Sequence, residues 1–103
     1  MEPKGEFWCK IVKTKTEILI AVCDKELLGK KIKIEDDFFI KIKEEFYKER
    51  IIDEREAIDL MKKATIGNIF GERIVKLAEK IGLVSKENVI FFDGVPHAQF
   101  IKI

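Results

Sequence analysis

The run Ile18-Leu19-Ile20-Ala21-Val22-Cys23 constrains this chain more than any other stretch, because six consecutive apolar residues leave neither side of a β-strand suited to water. Such a strand belongs inside a sheet, with partner strands on both of its edges. One partner is close by: Phe7 to Val12 is a second β-rich run, separated from the first by the polar connection Thr14-Lys15-Thr16-Glu17, and the pair reads as a hairpin. Asp24 to Gly29 then reads as one helical turn, capped by Asp24 and stopped by Gly29. Lys31 to Ile34 and Phe38 to Lys43 alternate apolar and polar residues, with Phe38, Ile40 and Ile42 on one side and Lys41 and Lys43 on the other, so each is expected to be a strand with one wet face.

The period changes after Tyr47. Ile51-Ile52 leads into Asp53, and Asp53 with Glu56 three residues later is a capping-box start for a helix running to about Ala64, with Ala57, Ile58, Met61 and Ala64 as its buried stripe. Thr65-Ile66-Gly67-Asn68 interrupts this pattern. Ile69, Phe70, Ile74, Leu77, Ala78 and Ile81 then recur at helical spacing, which predicts a second helix capped by Asn68 and closed at Gly82, with Leu83 packing beneath the cap. Val89 to Phe92 and Phe100 to Ile103 are apolar β runs on either side of Gly94-Val95-Pro96-His97-Ala98-Gln99, which reads as a turn-rich segment opening on Asp93-Gly94. The order strands, helix, helix, strands predicts a single α+β domain over residues 1–103, with a mixed, largely antiparallel sheet and a pair of helices on one face.

No apolar run approaches the length of a membrane span, and the segment Met1 to Glu6 lacks the apolar stretch of a secretory signal, so a cytoplasmic protein is expected. Seventeen of the twenty basic residues are lysine and thirteen of the nineteen acids are glutamate, against a thin set of Ser85, Asn68, Asn88 and Gln99. That Lys/Glu enrichment is the hyperthermophile pattern and points to a thermophilic source. A net charge of +1 gives no overall nucleic-acid footprint. The distribution is uneven, however, with eight lysines against five acids in residues 1–34 and seven bases against ten acids in residues 35–63.

No arrangement of residues spells out a reaction. Cys9 and Cys23 lie on facing hairpin strands without metal-ligand spacing. A zinc site would need both of them, His97 and Asp24 or Asp93, so neither a metal nor a cofactor is expected. A Cys23–His97 nucleophile pair has no supporting elbow motif. Gly67 and Gly71 sit around a helix start near Arg73 and can either offer backbone N–H groups to an anion or allow close packing. Without a Walker ending, packing is the reading adopted. Trp8 with Lys10 and Lys13, and Phe39 with Lys41 and Lys43, are the aromatic and lysine pairs that single-stranded RNA binding would use, with Trp8 expected to be partly buried.

Ala21-Val22-Cys23-Asp24, Glu26-Leu27-Leu28-Gly29, the Phe46-Tyr47 pair, Ala64-Thr65-Ile66 leading to Gly71-Glu72-Arg73-Ile74, Gly82-Leu83-Val84 and Gly94 to Gln99 together resemble the archaeal domain-of-unknown-function family 424 over nearly the whole chain. Lys48-Glu49 departs from the glycine that tends to follow the Phe-Tyr pair in that family. The resemblance implies a small cytosolic archaeal protein and carries no catalytic residue with it. The family motifs and the residue chemistry single out Asp24, Gly29, Gly71, Arg73, Pro96, His97 and Gln99 as a binding surface, with Lys10, Lys13, Lys31 and Lys33 as RNA contacts. Two function classes follow. One is a non-enzymatic binding module for RNA or a ribosome-associated translation component. The other is a small enzyme or ligand-binding protein whose pocket joins Asp24, Arg73 and His97. A homodimer built on the apolar strands is a third arrangement the sequence allows.

Overall fold

The computed structural model describes residues 6–36 and 38–103; the stretch Met1 to Gly5, which bears on the secretory-signal expectation, lies outside them. β1 (Phe7–Lys13) and β2 (Ile18–Asp24) form the expected hairpin, in antiparallel register from Phe7 opposite Asp24 to Lys13 opposite Ile18. β3 (Lys31–Glu35) and β4 (Phe38–Lys41) make a separate two-stranded sheet, followed by the short α1 (Glu44–Tyr47) and by β5 (Arg50–Ile52). Then come α2 (Glu54–Lys63), β6 (Ile66–Phe70), α3 (Glu72–Lys80), β7 (Ile90–Phe92) and β8 (Val95–Ile101). The main sheet runs β5-β1-β2-β6-β8-β7, and within it β2 and β6 are parallel while every other pair is antiparallel. The fold is α+β, and β2 lies inside the sheet as its two apolar faces require.

Strand alternation divides the side chains into two layers. Phe7, Cys9, Ile20, Val22, Ile69, Ala98 and Phe100 face α2 and α3, where they join Ala57, Met61, Ala64, Ile74, Val75, Leu77 and Ala78 in one core. Cys23 and Phe70 face the other way, under a lid made by Leu27, the β3–β4 hairpin through Ile32 and Ile42, and Tyr47 of α1. Cys9 and Cys23 are both free and buried but lie on opposite faces, so the hairpin does not make them partners. The capping box of α2 forms as read, with Asp53 accepting from Glu56 N at 2.8 Å and the Glu56 carboxylate accepting from Asp53 N at 3.1 Å. Gly82, at φ +81°, closes α3 in a Schellman arrangement in which Gly82 N donates to Glu79 O and Leu83 N to Ala78 O.

Four expectations need correction. Ile66 to Phe70 is a strand, not the start of a helix: Ile66, Ile69 and Phe70 satisfy a helical spacing, but hydrogen bonding between β2 and β8 decides the conformation. Asn68 is therefore not a cap, and Gly71 stands at the N-cap of α3 with φ +126° and no side chain to offer. Asp24 does not cap the turn that follows it, which is a 3₁₀ turn over Lys25–Leu27. Finally, Pro96 to Gln99 is strand, and the turn shrinks to Asp93-Gly94, whose positive φ values of 53° and 79° mark a two-residue type I′ hairpin.

Pro96 in an interior strand has a local reason. Gly71 N donates to Pro96 O at 2.9 Å, and the reciprocal bond would need Gly71 O, which already accepts from Val75 N in the first turn of α3. A residue without an N–H fits there at no cost.

Candidate functional site

Two polar centres occupy opposite sides of the sheet. At the foot of α3, the buried Asp24 carboxylate accepts from Arg73 N at 2.9 Å through Oδ2 and from Ile74 N at 3.0 Å through Oδ1. These are two of the four orphan N–H groups of the helix, so the backbone donors beside Gly71 and Arg73 are taken by the chain's own carboxylate, and the close packing expected of Gly71 is against Asp24. A Cβ on Gly71 would lie 2.4 Å from Asp24 Cγ, which is why that position has no side chain. The Arg73 guanidinium turns outward, pairing with Glu26 through both Nη atoms, donating to Glu6 O at 2.9 Å and covering the Phe7 ring at 5.6 Å. Burial raises the Asp24 pKa against the opposing pull of these two backbone donors, while the hydrogen bond from Arg73 lowers that of Glu26.

His97 is on the far side. Cross-strand neighbours there form three rows: Trp8, Cys23, Phe70, His97 and Ile90; then Lys10, Ala21, Asn68 and Gln99; then Val12, Leu19, Ile66 and Ile101. Trp8, Cys23 and Phe70 of the first row pack under the lid, whereas Ile90 at its end is exposed. His97 Nε2 is 2.8 Å from Asn68 Oδ1, the Tyr47 hydroxyl donates to the same oxygen at 3.3 Å, and the Phe70 ring stands edge-on to the imidazole at 4.9 Å. Burial lowers the His97 pKa, so the ring is neutral at physiological pH, with Nε2–H as the donor to Asn68. The sheet thus separates Asp24 and Arg73 from His97, and the single pocket expected from all three does not form. Nor does a Cys23–His97 pair: β6 lies between their strands, and burial pushes the Cys23 thiol up to about 12, which keeps it protonated.

The second and third rows are left open. All of their residues but Ile101 border, together with Phe46 and Glu45 of α1, a groove of about 350 Å³, with Val12, Leu19, Ala21 and Ile66 as floor, Phe46 as wall, and the Asn68 and Gln99 amides side by side at one end. Lys10 is held at its rim, Nζ donating to Glu45 O at 2.8 Å. Of the two amides, Gln99 is an expected site residue, whereas Asn68 reads in the sequence as a helix cap and Phe46 only as part of a family motif; a lone amide inside Ile66 to Phe70 is the sign of a strand with one polar position.

The remaining expected residues scatter. Gly29, at φ +83°, ties the lid down through its N–H to Ile42 O and borders a smaller cavity with Lys41, Lys43, Glu44 and Glu45. Lys13 is opposite Ile18 on the helix side. Lys31 and Lys33 stand on the outer face of the β3–β4 hairpin: Lys31 is directly opposite Lys41 and Lys33 is opposite Phe39, while Ile32 and Ile40 between them turn inward. Trp8 is half-buried beneath Lys48 Nζ, 5.5 Å from the ring centroid, which leaves Phe39 as the exposed aromatic of the two pairs.

A family model described as "Protein of unknown function (DUF424)" matches residues 12–103. The chain belongs to the DUF424 family. This bears out the resemblance carried by the motifs. The DUF424 chain is also similar in structure to an uncharacterised conserved protein from Methanopyrus kandleri, with a TM-score of 0.78 and 23% identity, covering 95% of this chain and 94% of that one, a likeness of fold. No curated protein matches the chain. Among the described residues of this DUF424 protein, no helix is long and apolar enough to cross a membrane.

Proposed function

We propose that this DUF424 protein is a non-enzymatic binding module that holds single-stranded RNA through the outer face of the β3–β4 hairpin. The observation that carries this reading is the Lys31–Lys41 pair. Like charges directly opposite on neighbouring strands destabilise a sheet, and a hairpin that keeps them while exposing Phe39 beside Lys33 is suited to a polyanion with stackable rings. Lys33 also meets Asp36 at 3.4 Å, an exposed pair that a phosphate can displace at little cost. The saturated hydrogen bonding of Asp24 and the protonated Cys23 thiol favour binding over catalysis. The Lys/Glu-rich composition supports a thermophilic setting, with a melting temperature above about 65 °C in thermal denaturation.

Fluorescence anisotropy with a labelled single-stranded RNA of about ten nucleotides tests the reading. Binding should weaken steeply with salt, and Lys31→Glu combined with Lys41→Glu should lower affinity and reduce the log–log salt slope by about 1.4. No binding at low salt, or an unchanged slope in the variant, overturns it. A deoxy strand of the same sequence that binds as tightly would replace RNA with single-stranded nucleic acid in general.

A further inference from the structure

We infer that the groove on the open sheet face accepts one unpaired base of the strand whose phosphates the hairpin holds; this rests on the proposed RNA reading and adds a second site to it. The groove's shape comes first. At about 350 Å³ it lies at the small end of ligand pockets, enough for a ring system and too small for a folded peptide segment. Its floor is a flat apolar patch of sheet, and the Phe46 ring stands at its side 61% exposed, an aromatic the core does not use. A planar ring lying on Leu19, Ala21 and Ile66 meets that wall by stacking.

The polar end supplies the hydrogen-bonding chemistry. Asn68 Oδ1 is occupied by His97 and Tyr47, which fixes the amide so that its NH₂ group remains as donor, while the exposed Gln99 across from it offers both a donor and an acceptor. Two neighbouring amides of this kind read the edge of a heterocycle, in the way that Asn and Gln side chains pair with bases. The interior does not favour an anion: Lys10 is tied to a main-chain carbonyl, and Glu45 contributes a negative charge to the border. A neutral ring is therefore the complementary occupant, with its phosphate outside. Glu45 also borders the adjoining cavity lined by Lys41 and Lys43, so groove and basic hairpin share a wall and one strand can run from one to the other.

The test compares a labelled strand of about ten nucleotides with an abasic strand of equal length, by anisotropy at one salt concentration. Wild-type protein should bind the base-bearing strand about tenfold more tightly. Phe46→Ala combined with Gln99→Leu, both at exposed positions, should remove most of that preference, leaving only the part that stacking on Phe39 supplies, with abasic binding and the melting temperature unchanged. Phe39→Ala should keep a preference for bases. Equal binding of both strands by the wild type, or a preference that survives undiminished in the groove variant and disappears with Phe39, overturns the groove while leaving the hairpin reading standing. Failure of both strands to bind removes both.

Discussion

The carboxylate centre at the foot of α3 and the amide row across the sheet are built from similar polar groups and differ in what is left over. Each Asp24 oxygen takes one backbone N–H, Gly71 is packed against it, and both Arg73 Nη atoms have acceptors; among the described residues Arg73 Nε alone is buried without one. Across the sheet, Asn68 spends one atom of its amide, Gln99 is exposed, and a groove borders both. The saturated centre holds the fold together and the unsaturated one can receive a ligand. Chemistry-bearing residue types do not distinguish them, since Asp, Arg and Gly form the structural centre and two amides form the open one.

The sharpest way to break the contrast is Gly71→Ala. At φ +126°, with its new Cβ driven into Asp24, it should cost about 3 kcal/mol or more in chemical denaturation. A cost below about 1 kcal/mol would show that the centre is not tightly built. Gly67→Ala should approach the same size, because its Cβ would lie 2.1 Å from Cε2 of the buried Phe100 ring.

Asp24→Ala should cost about 2–3 kcal/mol, since it strands two N–H groups of α3. Asp24→Asn should cost less, about 1–2 kcal/mol, because its single amide oxygen keeps one of the two α3 N–H groups while its NH₂ group faces the other. With a pKa raised by burial, the folded protein favours the neutral carboxyl; stability attached to Asp24 is full at acid pH and declines as pH rises through the raised value, a cost that Asn avoids. Equal losses for Ala and Asn would mean that charge, rather than capping, is what Asp24 supplies.

His97 has the opposite pH dependence. Its pKa is depressed below the ordinary 6.5 by burial, so its contribution is full above about pH 6.5 and is lost as pH falls through the folded value. Urea midpoints measured from about pH 7 down to 5 should decline less steeply in His97→Gln, which keeps a donor for Asn68 but does not titrate. Smaller still, Glu26→Gln should cost about 0.5 kcal/mol, because its pair with Arg73 is half-exposed, and that contribution should fade as pH drops through the lowered pKa of Glu26. On the open side, Gln99→Leu should shift stability by no more than about 0.5 kcal/mol in either direction.

The parts of the fold carried by local chemistry were readable in the residues: the β1–β2 hairpin, the Asp53–Glu56 capping box and the Gly82 closure of α3 each depend on neighbours a few positions apart. The misreadings fall where a distant partner decides. Ile66 to Phe70 has no local preference strong enough to refuse either conformation, and β2 and β8 settle it from more than twenty residues away on either side. Asp24 looked like the cap of its own turn because nothing near it reveals an α3 N-terminus 49 residues later. The site was legible only in pieces. Gln99, Lys31, Lys33 and the Phe39–Lys41 pairing were visible as residue types, but alternation alone does not say which faces the second layer covers, so the groove beside Asn68 had no signature.

The parallel pairing of β2 with β6 also sets an order of events for a chain emerging from the ribosome. Ile18 to Asp24 is made early, but the edge it presents to β6 stays open until Ile66 to Phe70 has been synthesised and the intervening residues have found their places. Closing so long a loop is slow and contributes little until it is finished. A nascent fragment ending before Ile66 therefore exposes a six-residue apolar strand with one free edge, a template for pairing with another chain, and aggregation is its expected fate.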